Sequence, residues 1–164
     1  VRLLDAWFKE PHVQKWWPVP DKEENILEHF LPRIRSKDAC GFIVYKDSMP
    51  LGYVQYYPID RKNPKTGAWL PIEVTAQITL GIDQFIGDCS LLGKGLGTQF
   101  LKEFISYLAQ NHASVAAIIV DPDSDNHAAI RCYEKVGFKK MGTYQAPWGP
   151  ALLMRYTIDA RFSY

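Results

Sequence analysis

At 164 residues, 47% of them hydrophobic and 13% aromatic, the chain is the size of one domain and can bury an ordinary core. A formal net charge of +1, with no basic run carrying interleaved aromatics, excludes the electrostatic footprint of a nucleic-acid or anionic-membrane binder and leaves small-molecule chemistry. Cys40, Cys89 and Cys132 lack CxxC or histidine partner spacing, so neither a disulfide framework nor a metal site is indicated, and with no membrane-length apolar span or leader pattern visible a cytoplasmic protein is expected.

In chain order, residues 2 to 9 read as the end of a short helix closed by Glu10-Pro11, because a residue before proline resists the helical region. Residues 21 to 36 read as a second helix, with Asp21 as N-cap, Ile26, Phe30 and Ile34 on one face, and Pro32 placed to kink or split it. Cys40 to Tyr45 and Leu51 to Tyr57 flank Lys46-Asp47-Ser48-Met49-Pro50, the pattern of a hairpin with a loop of about five residues. Asn63-Pro64-Lys65-Thr66-Gly67 is a loop by its turn residues, and Pro71 keeps the chain irregular before the next strand. That strand, Val74 to Asp83, alternates Ala76, Ile78, Leu80 and Ile82 with polar positions and is expected to end at its carboxylate.

A helix from Gly95 to about Gln110 carries Leu96, Phe100, Leu101, Phe104 and Leu108 on one stripe, with Asn111 as its C-terminal cap. Ala116 to Val120 is a short buried strand, Asn126 to Val136 a helix stopped by Gly137, and residues 139 to 144 and 151 to 158 are two closing strands. A meander followed by a strand, helix, strand crossover makes a mixed α/β sheet. No repeat, low-complexity tract or linker interrupts it.

Two cassettes carry the chemistry. In Leu92-Gly93-Lys94-Gly95-Leu96-Gly97-Thr98 three glycines leave a backbone without Cβ atoms, so successive N–H groups can turn onto an anion while the following helix adds its positive end. Alone, such a turn is as readily a tight helix entry. A second cassette runs from Asp121-Pro122 through Asn126 to Tyr133-Glu134-Lys135-Val136-Gly137-Phe138. His12, His29, His112 and His127 form no metal spacing.

These residues resemble the GNAT acetyltransferases and, among them, the aminoglycoside 6'-N-acetyltransferases. The likeness runs through Trp16-Trp17, Leu31-Pro32, Gly81-Ile82-Asp83-Gln84, the glycine cassette, Asp121-Pro122 and Ile130-Arg131-Cys132-Tyr133-Glu134-Lys135. It implies one acetyltransferase domain over residues 1–164, with the family's first strand expected before Val1. The implied sheet is mixed, mostly antiparallel and flanked by helices. It is splayed between strands four and five, here Val74 to Asp83 and Ala116 to Val120, to admit the pantetheine arm.

The resemblance also assigns roles, each beside a structural alternative. Asp83 would face the amine and Tyr133 the CoA sulfur, as the catalytic pair; the alternatives are a turn-capping aspartate and a core tyrosine. Acetyl-CoA would be held by Gln84, Phe85, Leu92, Gly93, Lys94, Gly95, Leu96, Gly97, Thr98 and Asn126, with Asn126 equally an N-cap. Leu92 stands where the superfamily usually has Gln or Arg, which leaves the amide cradle but no polar side chain there. Trp17, Asp83, Asp121, Trp69 and Glu73 would line the substrate pocket, while Asp123 and Asp125 read as a solvated loop. No metal is expected.

Three functions are compatible with this reading. The first is transfer of acetyl to the 6'-amine of an aminoglycoside by direct attack. The second is the same chemistry on another amine such as a polyamine, a siderophore precursor or a protein amino terminus. The third is a non-catalytic acyl-CoA-binding module. The first implies a small polycationic substrate, no nucleic-acid or membrane partner, and a monomer or weak homodimer.

Overall fold

Pro11 separates two helices where the sequence suggests one. In the computed structural model, α1 covers Arg2–Phe8 and α2 covers Pro11–Gln14, with Glu10 extended as its N-cap. Proline's fixed φ and missing N–H suit a first helical position, so it starts α2 as well as ending α1. The described residues are 2–17, 39–62, 67–68, 70–71 and 78–158. The expected helix over 21–36 lies outside them, as do residues 63–66, Trp69, Glu73 and the beginning of the third strand.

Strands β1 (Cys40–Lys46) and β2 (Met49–Pro58) pair antiparallel from Cys40↔Tyr56 to Lys46↔Met49. The expected loop of five residues is therefore only the two-residue turn Asp47-Ser48, with Asp47 at φ 55°. A register shift between Val44 and Tyr45 leaves Leu51 unmatched, and this bulge lets Pro50 sit within the strand.

Strand β3 (Ile78–Ile86) does not end at Asp83 but continues for three further residues. Phe85 is buried on the face it shares with Asp83, opposite that of Leu80 and Ile82, and the Gly87 N–H donates to the Leu51 carbonyl at 2.9 Å, so the ladder with β2 outlasts the carboxylate. Strand β4 (Val115–Val120) runs parallel to β3, pairing Ile78 to Gly81 with Val115 to Ile119. β5 (Lys139–Ala146) and β6 (Gly149–Thr157) form an antiparallel hairpin, and β6 pairs antiparallel with β4. The six-stranded order is β1-β2-β3-β4-β6-β5, the mixed, mostly antiparallel sheet expected from the sequence.

Helix α3 (Leu96–Asn111) buries Phe100, Leu101, Ile105 and Leu108. Ile105 takes the place expected for Phe104, which lies at the edge of the stripe with its ring stacked on Tyr107 at 5.9 Å. Helix α4 (His127–Val136) is capped by Asn126, whose side chain accepts from the Ala129 N–H, and is closed by Gly137 in the left-handed region.

Two compact units result. The first comprises Val1–Tyr56 with Asp83–Gly97, and the second Tyr57–Ile82 with Thr98–Tyr164. The first is built on Leu4, Trp7, Phe8, Val13, Tyr53 and Phe85. The second contains a cluster of Ile59, Leu70, Ile119 and Leu153, edged by Tyr57 and Tyr144.

Candidate active site

Side chains two apart on a strand share a face, which puts Tyr53 with Gln55 on β2 and Asp83 with Phe85 on β3. The pairing of these strands joins them: Gln55 Nε2 donates to Asp83 Oδ2 at 2.7 Å, and the Tyr53 hydroxyl donates to Gln55 Oε1 at 3.0 Å. Asp83 is half-buried while Gln55 is only 4% exposed, so the carboxylate rests on a polar group drawn from inside the sheet.

Trp17 belongs to the same unit. Its ring meets Tyr53 at 6.1 Å and Phe85 at 5.2 Å, both nearly perpendicular. The Phe85 side chain is buried among these rings, and its carbonyl lies toward Gly52 of β2. Gln84 lies on the opposite face of β3 from Asp83.

Beyond β3 the chain makes a 3-10 turn at Cys89–Leu91, capped by Asp88, which accepts the Ser90 N–H at 2.8 Å. Hydrogen bonds from the Ser90 hydroxyl and backbone, with smaller help from His12 and Lys94, hold the Asp88 carboxyl below its usual range. Leu92 is extended and exposed, Gly93 has φ 73° and Gly95 φ 76°, and α3 begins at Leu96 with Gly97 and Thr98 in its first turn. A Cβ built on Gly93 or Gly95 would meet nothing within 4 Å. Glycine is thus required here by backbone conformation, and the space before the loop is open. Leu91, Lys94 and Leu96 border a cleft of about 720 Å³ whose other wall is the β1–β2 turn, Lys46 to Met49.

The second unit holds the remaining candidates. Asp121, following β4, is half-buried and accepts the Tyr144 hydroxyl at 2.7 Å. Asp123 Oδ1 accepts the Asp125 N–H at 2.8 Å, the loop role the sequence suggested for both residues. Asn126 spends its side-chain oxygen on capping α4. Tyr133 is 6% exposed, with its ring 5.4 Å from Phe138, and the neighbouring Cys132 receives a hydrogen bond from the Thr98 hydroxyl at 3.4 Å. No group of three metal-ligating side chains occurs among the described residues. None of the described helices is long and apolar enough to cross a membrane.

The structure thus gathers Trp17, Asp83, Phe85 and the glycine loop in one unit, and Asp121, Asn126 and Tyr133 in the other. Tyr53, Gln55 and Tyr144 were not anticipated. For Gln55 a signal exists: it is a lone amide in the middle of Leu51 to Tyr57, a run apolar or aromatic enough to be buried on both faces.

Residues 1–146 match the model of the acetyltransferase (GNAT) domain family. The chain belongs to the GNAT acetyltransferases. This acetyltransferase is 34% identical over 164 residues to the aminoglycoside N(6')-acetyltransferase type 1 of Klebsiella pneumoniae, covering 98% of its own length and 79% of that protein. Over 94 residues it is 43% identical to a kanamycin resistance protein of Rhizobium radiobacter, covering 57% of itself and 85% of the relative. Its fold matches the crystal structure of the aminoglycoside acetyltransferase AAC(6')-Ib in complex with coenzyme A and kanamycin. There the TM-score is 0.82 at 34% identity, over 97% of this chain and 90% of the other.

Proposed function

We propose that this GNAT enzyme transfers acetyl from acetyl-CoA to the 6'-amine of aminoglycosides, and so inactivates them as antibiotics. The observation that carries the reading is the Asp83 carboxylate, held by Gln55 and borne on the strand that leads through one 3-10 turn into the positive-φ glycine loop. The names of its relatives support the substrate class.

The chain fits acetyl-CoA. Two glycines in the left-handed region with open space before them, followed by the unbonded N–H groups of a helix start, suit a pyrophosphate. Lys94 adds charge, and Gln84 lies past Gly81↔Ile119, the last pair of the β3–β4 ladder, where the acyl arm would enter. When bound, acetyl-CoA supplies an activated acetyl thioester.

An amine like that of lysine, with a pKa of about 10.4, is protonated at neutral pH, and freeing its lone pair costs about 4 to 5 kcal/mol. A carboxylate with a pKa of about 3.9 is a weak base for that task. Asp83 therefore binds the ammonium first and takes or relays its proton as the nitrogen attacks the acetyl carbon. A backbone N–H at the strand end polarises the carbonyl, and the Tyr133 hydroxyl gives its proton to the sulfur as the carbon–sulfur bond breaks. No enzyme nucleophile takes part. Asp121 supplies binding charge to the other ammonium groups of the substrate, with Trp17 as an aromatic contact; the family resemblance assigns Trp69 and Glu73, which lie outside the described residues, to the same role.

The whole chain acts as one catalytic domain, in the cytoplasm, as a monomer or weak homodimer without nucleic-acid or membrane partners; the net charge of +1 supports only the last of these, since it gives no global field for a polyanion. Thiol release from acetyl-CoA, assayed with aminoglycosides carrying a 6'-amine and matched ones carrying a 6'-hydroxyl, tests the reading. Turnover is expected with the former alone, and turnover of a polyamine with no aminoglycoside accepted would overturn the substrate.

A further inference from the structure

We infer that Gln55 is the positioning residue of the Asp83 carboxylate and that Tyr53 sets the direction of the Gln55 amide; the inference rests on Asp83 being the proton acceptor. Among the described residues Gln55 is the buried polar side chain. An amide in such a place is costly unless both of its ends are hydrogen-bonded. Both are, and by groups of fixed chemistry.

An ionised carboxylate can only accept, so the Gln55 atom 2.7 Å from Asp83 Oδ2 is the amide nitrogen. The amide oxygen then faces Tyr53, whose hydroxyl donates to it at 3.0 Å. The chain runs one way, from Tyr53 through Gln55 to Asp83, and reversing the amide would set its oxygen against the carboxylate.

The far end of this chain is closely packed. Tyr53 is 1% exposed, with its ring 5.7 Å from Phe85 and 6.1 Å from Trp17. Gly41 stands beside its hydroxyl, where a Cβ would collide with the oxygen. A neutral donor also favours the ionised carboxylate without cancelling its charge, as a lysine or arginine would. Gln55 therefore orients Asp83 and, being neutral, does not itself cancel the carboxylate's charge.

A double-mutant cycle tests this. Gln55→Leu is expected to lower kcat about tenfold, the scale of one hydrogen bond to a charged group, with the KM for acetyl-CoA nearly unchanged. In an Asp83→Asn background, assayed at high pH where the free amine sustains residual turnover, the same substitution is expected to change kcat less than about twofold, because its effect passes through the carboxylate. Tyr53→Phe, which keeps the packing, is expected to follow the same pattern at about threefold and covers the case in which Gln55→Leu does not fold. Equal losses in both backgrounds overturn the proposal, as does full turnover of Gln55→Leu and Tyr53→Phe while Asp83→Asn is impaired. Full turnover of Asp83→Asn overturns the proton-acceptor reading, and the proposal with it.

Discussion

Tyr144 donates its hydroxyl to Asp121 at 2.7 Å, fixing the carboxylate that follows β4 with a side chain from β5. Like Asp83, Asp121 accepts from a neutral side-chain donor. Its assigned work is electrostatic. Asp121→Asn is expected to raise the KM for the aminoglycoside about fivefold to tenfold while kcat stays within about twofold, and Tyr144→Phe to give a smaller change in the same direction. Steady-state kinetics over a range of aminoglycoside concentrations check this, and a loss confined to kcat would place Asp121 in proton transfer.

The glycine loop makes a sharper distinction than its spacing suggests. Gly93 and Gly95 lie at positive φ, whereas Gly97 is helical. Gly95→Val is expected to cost about 1 to 2 kcal/mol of stability through backbone strain and to abolish the stabilisation by acetyl-CoA, which reaches about 2.7 kcal/mol at a hundredfold excess over Kd. Gly97→Ala is expected to keep or raise stability, since alanine is the better helix former. Thermal melts with and without acetyl-CoA read both effects, and an intact ligand shift in folded Gly95→Val would remove the phosphate role.

Tyr133 is buried against Phe138, so Tyr133→Phe keeps the ring packing and removes only the hydroxyl. The variant's kcat is expected to fall more than substrate binding weakens, because the hydroxyl proton is needed only as the thiolate leaves. Equal turnover would make Tyr133 a core residue alone.

Asp88 gives a pH signature for the turn before the loop. Its carboxyl is held below the usual range, so its contribution to stability is complete above the unfolded pKa, about 3.9, and is lost as pH falls through the lower folded value. The Tm difference between native protein and Asp88→Ala is expected to be constant near neutrality and to shrink below about pH 4. A difference that grows on acidification would contradict the assignment.

The existence of the strands was legible because the apolar pattern is local: β4 reads as a continuous apolar run and is buried nearly throughout. Lengths were less so. The β1–β2 loop shortened from five residues to two because a bulge absorbs Leu51, and β3 passed Asp83 because Phe85 is a core residue on the face it shares with that carboxylate. The glycine loop and the Asn126 cap depend on neighbours in sequence and could be read from them. The partners of the two carboxylates could not be. Gln55 lies 28 residues from Asp83 and Tyr144 lies 23 from Asp121, and only strand register or tertiary packing brings them together.

The central claim is that Asp83 accepts the proton of a 6'-ammonium, and the turnover of Asp83→Asn with a 6'-amino aminoglycoside across pH tests it most directly. The variant is expected to keep the thermal shift with acetyl-CoA, to turn over about a hundredfold more slowly than native protein near neutral pH, and to recover part of that loss as the pH rises and the free amine is populated. Turnover equal to that of native protein throughout the pH range would contradict the account.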